Sequence, residues 1–151
     1  MQLIFREARQ SDLPELVKML ANDQLGKTRE DISMPIHASY IEILNIITAD
    51  PNNELIVVES DDKIIGMLQI TFIPYLTHKG SWRCLIEGVR VHQDYRGKGL
   101  GSQFFEWVID RAKQKGCKIV QLTSNKQRPD AIRFYNRLGF EPTHEGFKLN
   151  L

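Results

Sequence analysis

Cysteine is scarce in this chain of 151 residues, which has only Cys84 and Cys117. Their positions match neither the spacing of a zinc site nor that of a redox motif, and the four histidines also lack the spacing of metal ligands. We therefore expect no metal site and two free thiols. Free thiols are typical of a reducing compartment, so the cytoplasm is the expected location.

Long apolar runs and a strong net charge are also missing. No apolar stretch approaches the roughly 20 residues of a membrane-spanning helix, and the N-terminal segment lacks the apolar region of a secretory signal. The formal net charge is only +1, so the chain as a whole has no general attraction for nucleic acid or an anionic membrane. We expect a single globular domain over residues 1–151 that binds neither nucleic acid nor a membrane. Any basic site must be local.

The apolar periodicity predicts an alternating order of strands and helices. The predicted strands cover 3–8, 54–59, 63–72, 82–91 and 118–123, with closing strands at Phe140 and 145–149. The predicted helices begin at Ser11, span 36–49, extend from a glycine-rich turn to about Lys115, and begin again at Pro129. This order predicts a mixed α/β layered structure.

One turn, between a predicted strand and a predicted helix, has the chemistry of an anion site. Gly97, Gly99 and Gly101 stand at a helix start, where several backbone N–H groups lack partners and the helix dipole is positive. Glycines let a bulky anion approach these N–H groups, and Arg96 and Lys98 add positive charge. The pattern is typical of pyrophosphate binding, and an ordinary strand-to-helix connection is the alternative. The chain has no P-loop sequence, and a dinucleotide-binding fold would place its glycines after the first strand.

Two segments together resemble the GNAT superfamily of N-acetyltransferases. Residues 86–91, followed by Arg96-Gly97-Lys98-Gly99-Leu100-Gly101, resemble its motif A, written Arg/Gln-x-x-Gly-x-Gly/Ala, and Ala131 to Phe140 resemble its motif B. The two motifs occur in the family's order and separation. The resemblance implies a single α/β (α+β) domain with a mixed, mostly antiparallel central sheet. That sheet is splayed at the motif A strand and flanked by about four helices.

The resemblance also implies acetyl-coenzyme A (acetyl-CoA) as the donor. Its pyrophosphate would lie on the glycine turn, and its pantetheine arm would pair with the backbone of Val89 and Val91 like an added strand. A bulge at Gly88 would help to separate this strand from its neighbour. Asn125 is a candidate because Arg128, three residues later, stands where many family members have an asparagine. The expected donor-binding residues are Val89, Arg90, Val91, Arg96, Gly97, Lys98, Gly99, Leu100, Gly101, Ser102, Asn125 and Phe134.

Acetyl transfer to an amine needs a base for the amine and an acid for the leaving thiolate. Tyr135 stands where the family has its general acid, and a phenol with a reference pKa near 10 keeps its proton at neutral pH. The alternative for Tyr135 is a core aromatic beside Phe134. Glu87 is the candidate base, acting directly or through a water. In plain alternation it shares a strand face with apolar side chains, where an unpaired carboxylate is costly, so a substrate anchor or an ion pair with Arg90 are its alternatives.

The expected function is that of an acetyl-CoA-dependent N-acetyltransferase that transfers the acetyl group directly to a primary amine, with a small-molecule acceptor favoured. Neither cysteine lies in the two motifs, so nothing supports an acetyl-cysteine intermediate. A non-catalytic acyl-CoA-binding sensor and a protein or peptide acetyltransferase are the alternatives. In the resembled fold the segment between the first two helices walls the acceptor site, so specificity is expected at residues 22–37. The resemblance leaves a homodimer open.

Overall fold

The computed structural model describes the whole chain, residues 1–151, and builds it around one five-stranded sheet. The strands are β1 (Ile4–Glu7), β2 (Asn53–Ser60), β3 (Lys63–Tyr75), β4 (Ser81–Val91) and β5 (Cys117–Leu122). They lie side by side in chain order; neighbours from β1 to β4 pair antiparallel, and β4 and β5 pair parallel. The predicted mixed, mostly antiparallel sheet is therefore confirmed.

Four helices of nine residues or more accompany the sheet, together with one short turn. They are α1 (Leu13–Ala21), α2 (Ala38–Ala49), the four-residue turn α3 (Thr77–Gly80), α4 (Leu100–Gln114) and α5 (Pro129–Arg137). Short 3-10 turns occupy Gln10–Asp12, Gly26–Thr28 and Gln93–Tyr95. A bilayer-crossing helix would have to be longer and more apolar than any of these.

Apolar side chains cover both faces of the sheet, which explains why β2 and β3 are apolar at consecutive positions. Alternate residues of a strand point to opposite faces. Ile56 and Val58 thus pack with Phe104 of α4, whereas Val57 packs with Leu16 of α1 on the other face. All of these side chains are at least 97% buried, and burying each contributes about 1.5–3 kcal/mol. The two apolar layers hold the sheet in which β4 lies between β3 and the edge strand β5.

The sheet opens between β4 and β5, as the resemblance implied. The two strands pair from Trp82 opposite Cys117 to Ile86 opposite Leu122, and the rest of β4 has no β5 partner. On its other side β4 has a bulge, because the pairing with β3 steps past Gly88, whose φ is +61°. A positive φ is a glycine conformation. The predicted bulge is confirmed, and it turns the second half of β4 away from β5.

The closing strands predicted at Phe140 and 145–149 are wrong. β5 is the last strand of the chain, and residues 141–151 are all exposed. Alternating apolar residues favour a strand, but a strand also needs a neighbouring edge in register. Here the chain meets the end of β5 at Thr123, which lies beside Gly146, instead of following that strand. The segment does alternate apolar and polar residues, but it pairs with no strand of the same chain.

Candidate active site

The glycine turn between β4 and α4 has the geometry of an anion cradle. Gly97 and Gly99 have φ values of +74° and +75°, in the left-handed region that favours glycine. Gly99 is the N-cap of α4, and no side chain caps the N–H groups of the first helical turn. No heavy atom lies within 4 Å of a Cβ added to either glycine, so the space in front of the turn is open. The turn therefore fits a phosphate oxygen at a helix start.

A cleft of about 430 Å³ lies between this turn and α5, and we call it the donor cleft. Gly101 explains how α5 approaches so closely, since a Cβ there would stand 3.1 Å from the Phe134 ring. Of the three glycines, two shape the turn and the third allows packing against α5. The donor cleft is lined by Val91, Tyr95, Arg96, Gly97, Gly99, Leu100, Gly101, Ser102, Phe134, Arg137 and Leu138.

A second cleft of about 730 Å³ lies beside the donor cleft, and Val91 and Arg96 line both. We call it the acceptor cleft, because the resemblance places the acceptor beside residues 22–37. Part of the predicted specificity segment, residues 22–24 and Lys27, contributes to its wall. Its full lining is Ala21, Asn22, Asp23, Gln24, Lys27, Val89, Arg90, Val91, Arg96 and Arg128. Asp23 and Lys27 belong to the segment that was expected to set specificity. Arg128 was not an expected site residue, and its only signal was its departure from the family's asparagine.

Arg96 stands at the boundary of the two clefts. Its Nε donates a hydrogen bond to the Val91 carbonyl at 3.0 Å, and its Nη2 donates to the Asn22 carbonyl at 3.1 Å. Its guanidinium thus joins the end of β4 to the segment after α1. Lys98 lies over the Tyr95 ring, with Nζ 5.0 Å from the ring centroid, at the outer end of the glycine turn.

An ion cluster organises the acceptor cleft. The Arg128 guanidinium donates two hydrogen bonds to the Asp23 carboxylate, at 2.7 and 2.6 Å. These bonds hold the pKa of Asp23 at about 2, below its usual 3.8. Arg90 lies 3.7 Å from the same carboxylate and donates to the Val89 carbonyl at 2.8 Å. Burial lowers the pKa of Arg90, against the attraction of Asp23.

Tyr135, the expected acid, lies on α5 with its ring against Phe105, at 5.4 Å between centroids. Burial raises the pKa of its phenol, while the positive charges of Arg90 and Arg128 act in the opposite direction without overcoming that effect. The phenol therefore keeps its proton at neutral pH. The ring packs with the apolar core and does not line either cleft, so the structure supports the packing role and leaves the role as an acid as a proposal.

Glu87, the expected base, is exposed at the point where β4 leaves β5. It forms no hydrogen bond or ion pair through its side chain, because Arg90 turns to Asp23 instead. The ion pair between Glu87 and Arg90 that the sequence left open is therefore not formed. Asn125 is exposed outside both clefts, where its side-chain oxygen accepts the Gln127 N–H at 2.9 Å.

The two cysteines lie outside both clefts. Cys84 is fully buried, and burial raises its pKa to about 12, so its thiol stays protonated. Cys117 stands at the start of β5, and burial raises its pKa as well. A thiol that holds its proton is a poor nucleophile. No group of three or more histidine, cysteine, aspartate or glutamate side chains could hold a metal ion.

Comparison with known proteins assigns the class that this fold and turn suggest. Residues 14–140 match the model of the acetyltransferase (GNAT) family. Because that match covers most of the chain, the protein belongs to the GNAT acetyltransferase family. The resemblance of the two motifs is thereby confirmed, as is the splayed α+β fold that it implied.

The proteins that this chain resembles have different described activities. The aminoalkylphosphonate N-acetyltransferase of Salmonella typhimurium is 31% identical over 98 residues, which are 65% of this chain and 63% of that protein. The match thus spans less than two thirds of the relative's length. A crystal structure of a transcriptional regulator from Bacillus halodurans C-125 is 52% identical, with a TM-score of 0.96 over 99% of this chain and 100% of that chain. A predicted acetyltransferase from Clostridium acetobutylicum, solved with acetyl-CoA, is 22% identical and has the same fold, with a TM-score of 0.73 over 99% of this chain and 96% of that chain.

Proposed function

We propose that this protein is an acetyl-CoA-dependent N-acetyltransferase that moves the acetyl group directly to a primary amine of a small molecule. The observation that carries the proposal is the pair of clefts that adjoin at Val91 and Arg96. One cleft has an open anion cradle, and the other has charged side chains. A donor in one cleft and an acceptor in the other would meet beside the splayed half of β4.

The glycine turn and the unpaired half of β4 fit acetyl-CoA. Val91 lines both clefts and Val89 lines the acceptor cleft, so the arm of the donor would run along the border of the two. The open N–H groups around Gly99 suit a pyrophosphate, and the unpaired half of β4 suits an extended amide chain. The carbonyls of Val89 and Val91 now accept hydrogen bonds from Arg90 and Arg96. A bound pantetheine arm would compete with these side chains for the same carbonyls. When bound, acetyl-CoA supplies the activated acetyl group for transfer.

Two side chains have the proton-transfer properties that the reaction needs. Glu87 is exposed and unpaired, so it can accept a proton from an ammonium group directly or through a water. Tyr135 keeps its phenol proton at neutral pH because burial raises its pKa, so the proton is available for the departing thiolate. Each such group typically contributes about 100-fold to 10,000-fold to a rate.

A small acceptor is favoured over a peptide. The segment around Asp23 and Lys27 lines one side of the acceptor cleft, and Arg128 pairs with Asp23 there, so the cleft offers charged groups that suit a small polar molecule. The Salmonella relative is named for a small amine, which supports the same choice. We also propose that the protein acts in the cytoplasm, where acetyl-CoA is available and where the two unbridged cysteines would stay reduced.

A second candidate function is a non-catalytic acyl-CoA-binding regulator. It is favoured by one observation, the description of the 52% identical Bacillus halodurans protein as a transcriptional regulator. The exposed, unpaired Glu87 and the protonated Tyr135 favour the enzyme instead, because a sensor has no use for an acid and a base beside the thioester.

A thiol-release assay separates the two functions. Acetyl-CoA and the protein are mixed with amino acids, aminoalkylphosphonates, polyamines, aminoglycosides and lysine peptides, and each amine product is identified by mass spectrometry. The enzyme predicts thiol release that depends on at least one small amine. Tight acetyl-CoA binding with no turnover on any amine would support the regulator, and turnover on peptides alone would support a peptide acetyltransferase.

A further inference from the structure

The acceptor cleft is strongly positive, although the chain as a whole is almost neutral. Its lining includes four cations, Lys27, Arg90, Arg96 and Arg128, and a single carboxylate, Asp23. The formal net charge of the whole protein is +1. Positive charge is therefore concentrated in this cleft. Such a concentration attracts an anion and repels a polycation.

Arg90 is the most buried of these cations, and its set of partners is incomplete. Its side chain is only 15% exposed, and its buried Nε has no hydrogen-bond partner. Asp23 lies 3.7 Å away, beyond hydrogen-bond distance, and already accepts two bonds from Arg128. A buried cation with incomplete partners is costly, and an anionic ligand would relieve that cost.

We infer that the acceptor is an amine that also carries an anionic oxyacid group, a carboxylate or a phosphonate, which Arg90 and Arg128 bind. This inference rests on the proposed function, because it assigns the amine of that molecule to Glu87. Glu87 stands three residues before Arg90 on β4, across the bulge at Gly88, so the amine of a molecule held at Arg90 would reach Glu87 through a water. The anion fixes the orientation, and the amine meets the base.

Matched acceptors test this inference. The assay compares kcat/KM for 2-aminoethylphosphonate and β-alanine with kcat/KM for propylamine and 1,3-diaminopropane. We expect the anionic amines to be preferred at least about tenfold, which is the effect of one charge-assisted hydrogen bond. Arg90→Gln and Arg128→Gln should each reduce the ratio of kcat/KM for β-alanine to that for propylamine about tenfold. Lys126→Gln, a change at a residue that is 91% exposed outside the cleft, should leave the ratio unchanged.

Calorimetric binding of 2-aminoethylphosphonate to the protein saturated with CoA makes the test independent of turnover. Binding that weakens at least about tenfold in Arg90→Gln, with no acetylation of any amine, would keep the inference and overturn the proposed function. Equal kcat/KM for anionic and neutral amines would overturn the inference and keep the enzyme. Absence of both binding and turnover with the anionic amines would also overturn it.

A separate observation concerns the C-terminal segment, residues 141–151. Every residue in it is exposed, and its apolar residues Phe147, Leu149 and Leu151 alternate with polar ones. Phe147 is 92% exposed and Leu149 is 86% exposed. Alternation of this kind is the pattern of a strand with one buried face. In this molecule nothing covers the apolar face of the segment.

A free strand edge that the segment could pair with is present on the same molecule. β5 is the edge strand of the sheet, paired only with β4, so its other edge presents free backbone N–H and C=O groups. Ile119 of β5 is 37% exposed at this edge. The segment cannot easily use its own β5, because its chain passes the end of that strand at Thr123. The Bacillus halodurans structure superposes over nearly the whole chain, which leaves little room for a different path of this segment there.

We propose that residues 147–151 of one molecule pair with β5 of a second copy, and that the exchange is reciprocal. Five residues of the segment match the six residues of β5 in length. A reciprocal exchange makes a closed two-fold dimer, which completes both sheets and covers the three apolar side chains.

Light scattering after size-exclusion chromatography tests the exchange on the full chain. The unaltered protein should be a dimer. Leu149→Glu, which places a charge on the apolar side of the segment, should give a monomer with an unchanged far-UV circular dichroism spectrum. Asn150→Glu changes the neighbouring residue on the opposite side and should remain a dimer. A monomeric unaltered protein, or a dimer that Leu149→Glu leaves intact, would overturn the proposal.

Discussion

The guanidinium of Arg128 donates two hydrogen bonds to the carboxylate of Asp23, at 2.7 and 2.6 Å, across 105 positions of sequence. This pair ties the segment after α1 to the start of α5, the helix that carries Tyr135. It therefore connects the wall of the acceptor cleft to the helix that carries the expected acid. The pair holds the site in shape as well as contributing charge to it.

The stability of Asp23→Asn should depend on pH. The folded-state pKa of Asp23 is about 2, below its usual 3.8, because Arg128 hydrogen-bonds the ionised form. Ionised Asp23 thus stabilises the fold fully above about pH 4, and that stabilisation is lost as the pH falls through about 2. We expect Asp23→Asn to lower the free energy of unfolding by about 1–3 kcal/mol at pH 7. Denaturant titrations at pH 7, 4 and 2.5 should show that difference shrinking toward acid.

Asp110→Asn is the control for this prediction, because Asp110 is exposed on α4 and outside both clefts. Its stability should follow that of the unaltered protein across the same pH range. A difference between the unaltered protein and Asp23→Asn that stays constant from pH 7 to pH 2.5 would contradict the assigned role of the ionised carboxylate.

Tyr135→Phe should lower kcat at least about tenfold, because it removes the proton that the departing thiolate needs. The ring still packs on Phe105, so the dissociation constant for CoA and the melting temperature should change little. Tyr75→Phe removes a buried hydroxyl that has no hydrogen-bond partner, outside both clefts, and it should leave kcat unchanged. Equal kcat values for Tyr135→Phe and the unaltered protein would exclude Tyr135 as the acid.

Glu87→Gln should lower kcat/KM for an accepted amine at least about tenfold at neutral pH, because the amide cannot take a proton. The side chain has no partner in the fold, so the melting temperature should stay the same. Glu106→Gln, at an exposed position on α4, provides the matched control. A full rate in Glu87→Gln would show that another group or the solvent accepts the proton.

Gly99→Ala should weaken CoA binding about tenfold. The residue has φ = +75°, where a Cβ costs roughly 1–2 kcal/mol, and the added methyl group would project into the anion cradle. Gly80→Ala is the matched control, because Gly80 has φ = +69° with open space around it, in the α3 turn. Both variants should lose similar stability, and only Gly99→Ala should lose affinity in calorimetric titration with CoA. Equal loss of affinity in both would contradict the cradle.

The sequence was informative where one short segment determines its own structure. The helix over residues 36–49 was predicted two residues too long at its start, because the His37 ring caps α2 by accepting the Ser39 N–H. The bulge at Gly88 was expected from the resemblance to the family, and the structure has it there. The glycine turn before α4 was expected from Gly97 and Gly99, and the structure adds that both have a positive φ.

The sequence alone did not predict the features that depend on contacts between distant segments. The sequence offered Glu87 as a partner for Arg90, whereas Arg90 lies beside Asp23 because α1, which precedes Asp23, lies against β4. The predicted strand at 145–149 failed for the same reason, because pairing depends on the path of the chain past Thr123. The local sequence pattern indicates which secondary structure a segment can form. The tertiary structure determines which other segment it pairs with.

The most direct test of the proposed function follows the acetyl group itself. The protein is incubated with acetyl-CoA labelled in the acetyl carbon and with an accepted amine, and the label is then measured on the amine and on acid-precipitated protein. Direct transfer predicts that all transferred label is on the amine, that none is on the protein, and that Tyr135→Phe slows its appearance. Label retained covalently by the protein, or no labelled amine despite bound acetyl-CoA, would contradict the account.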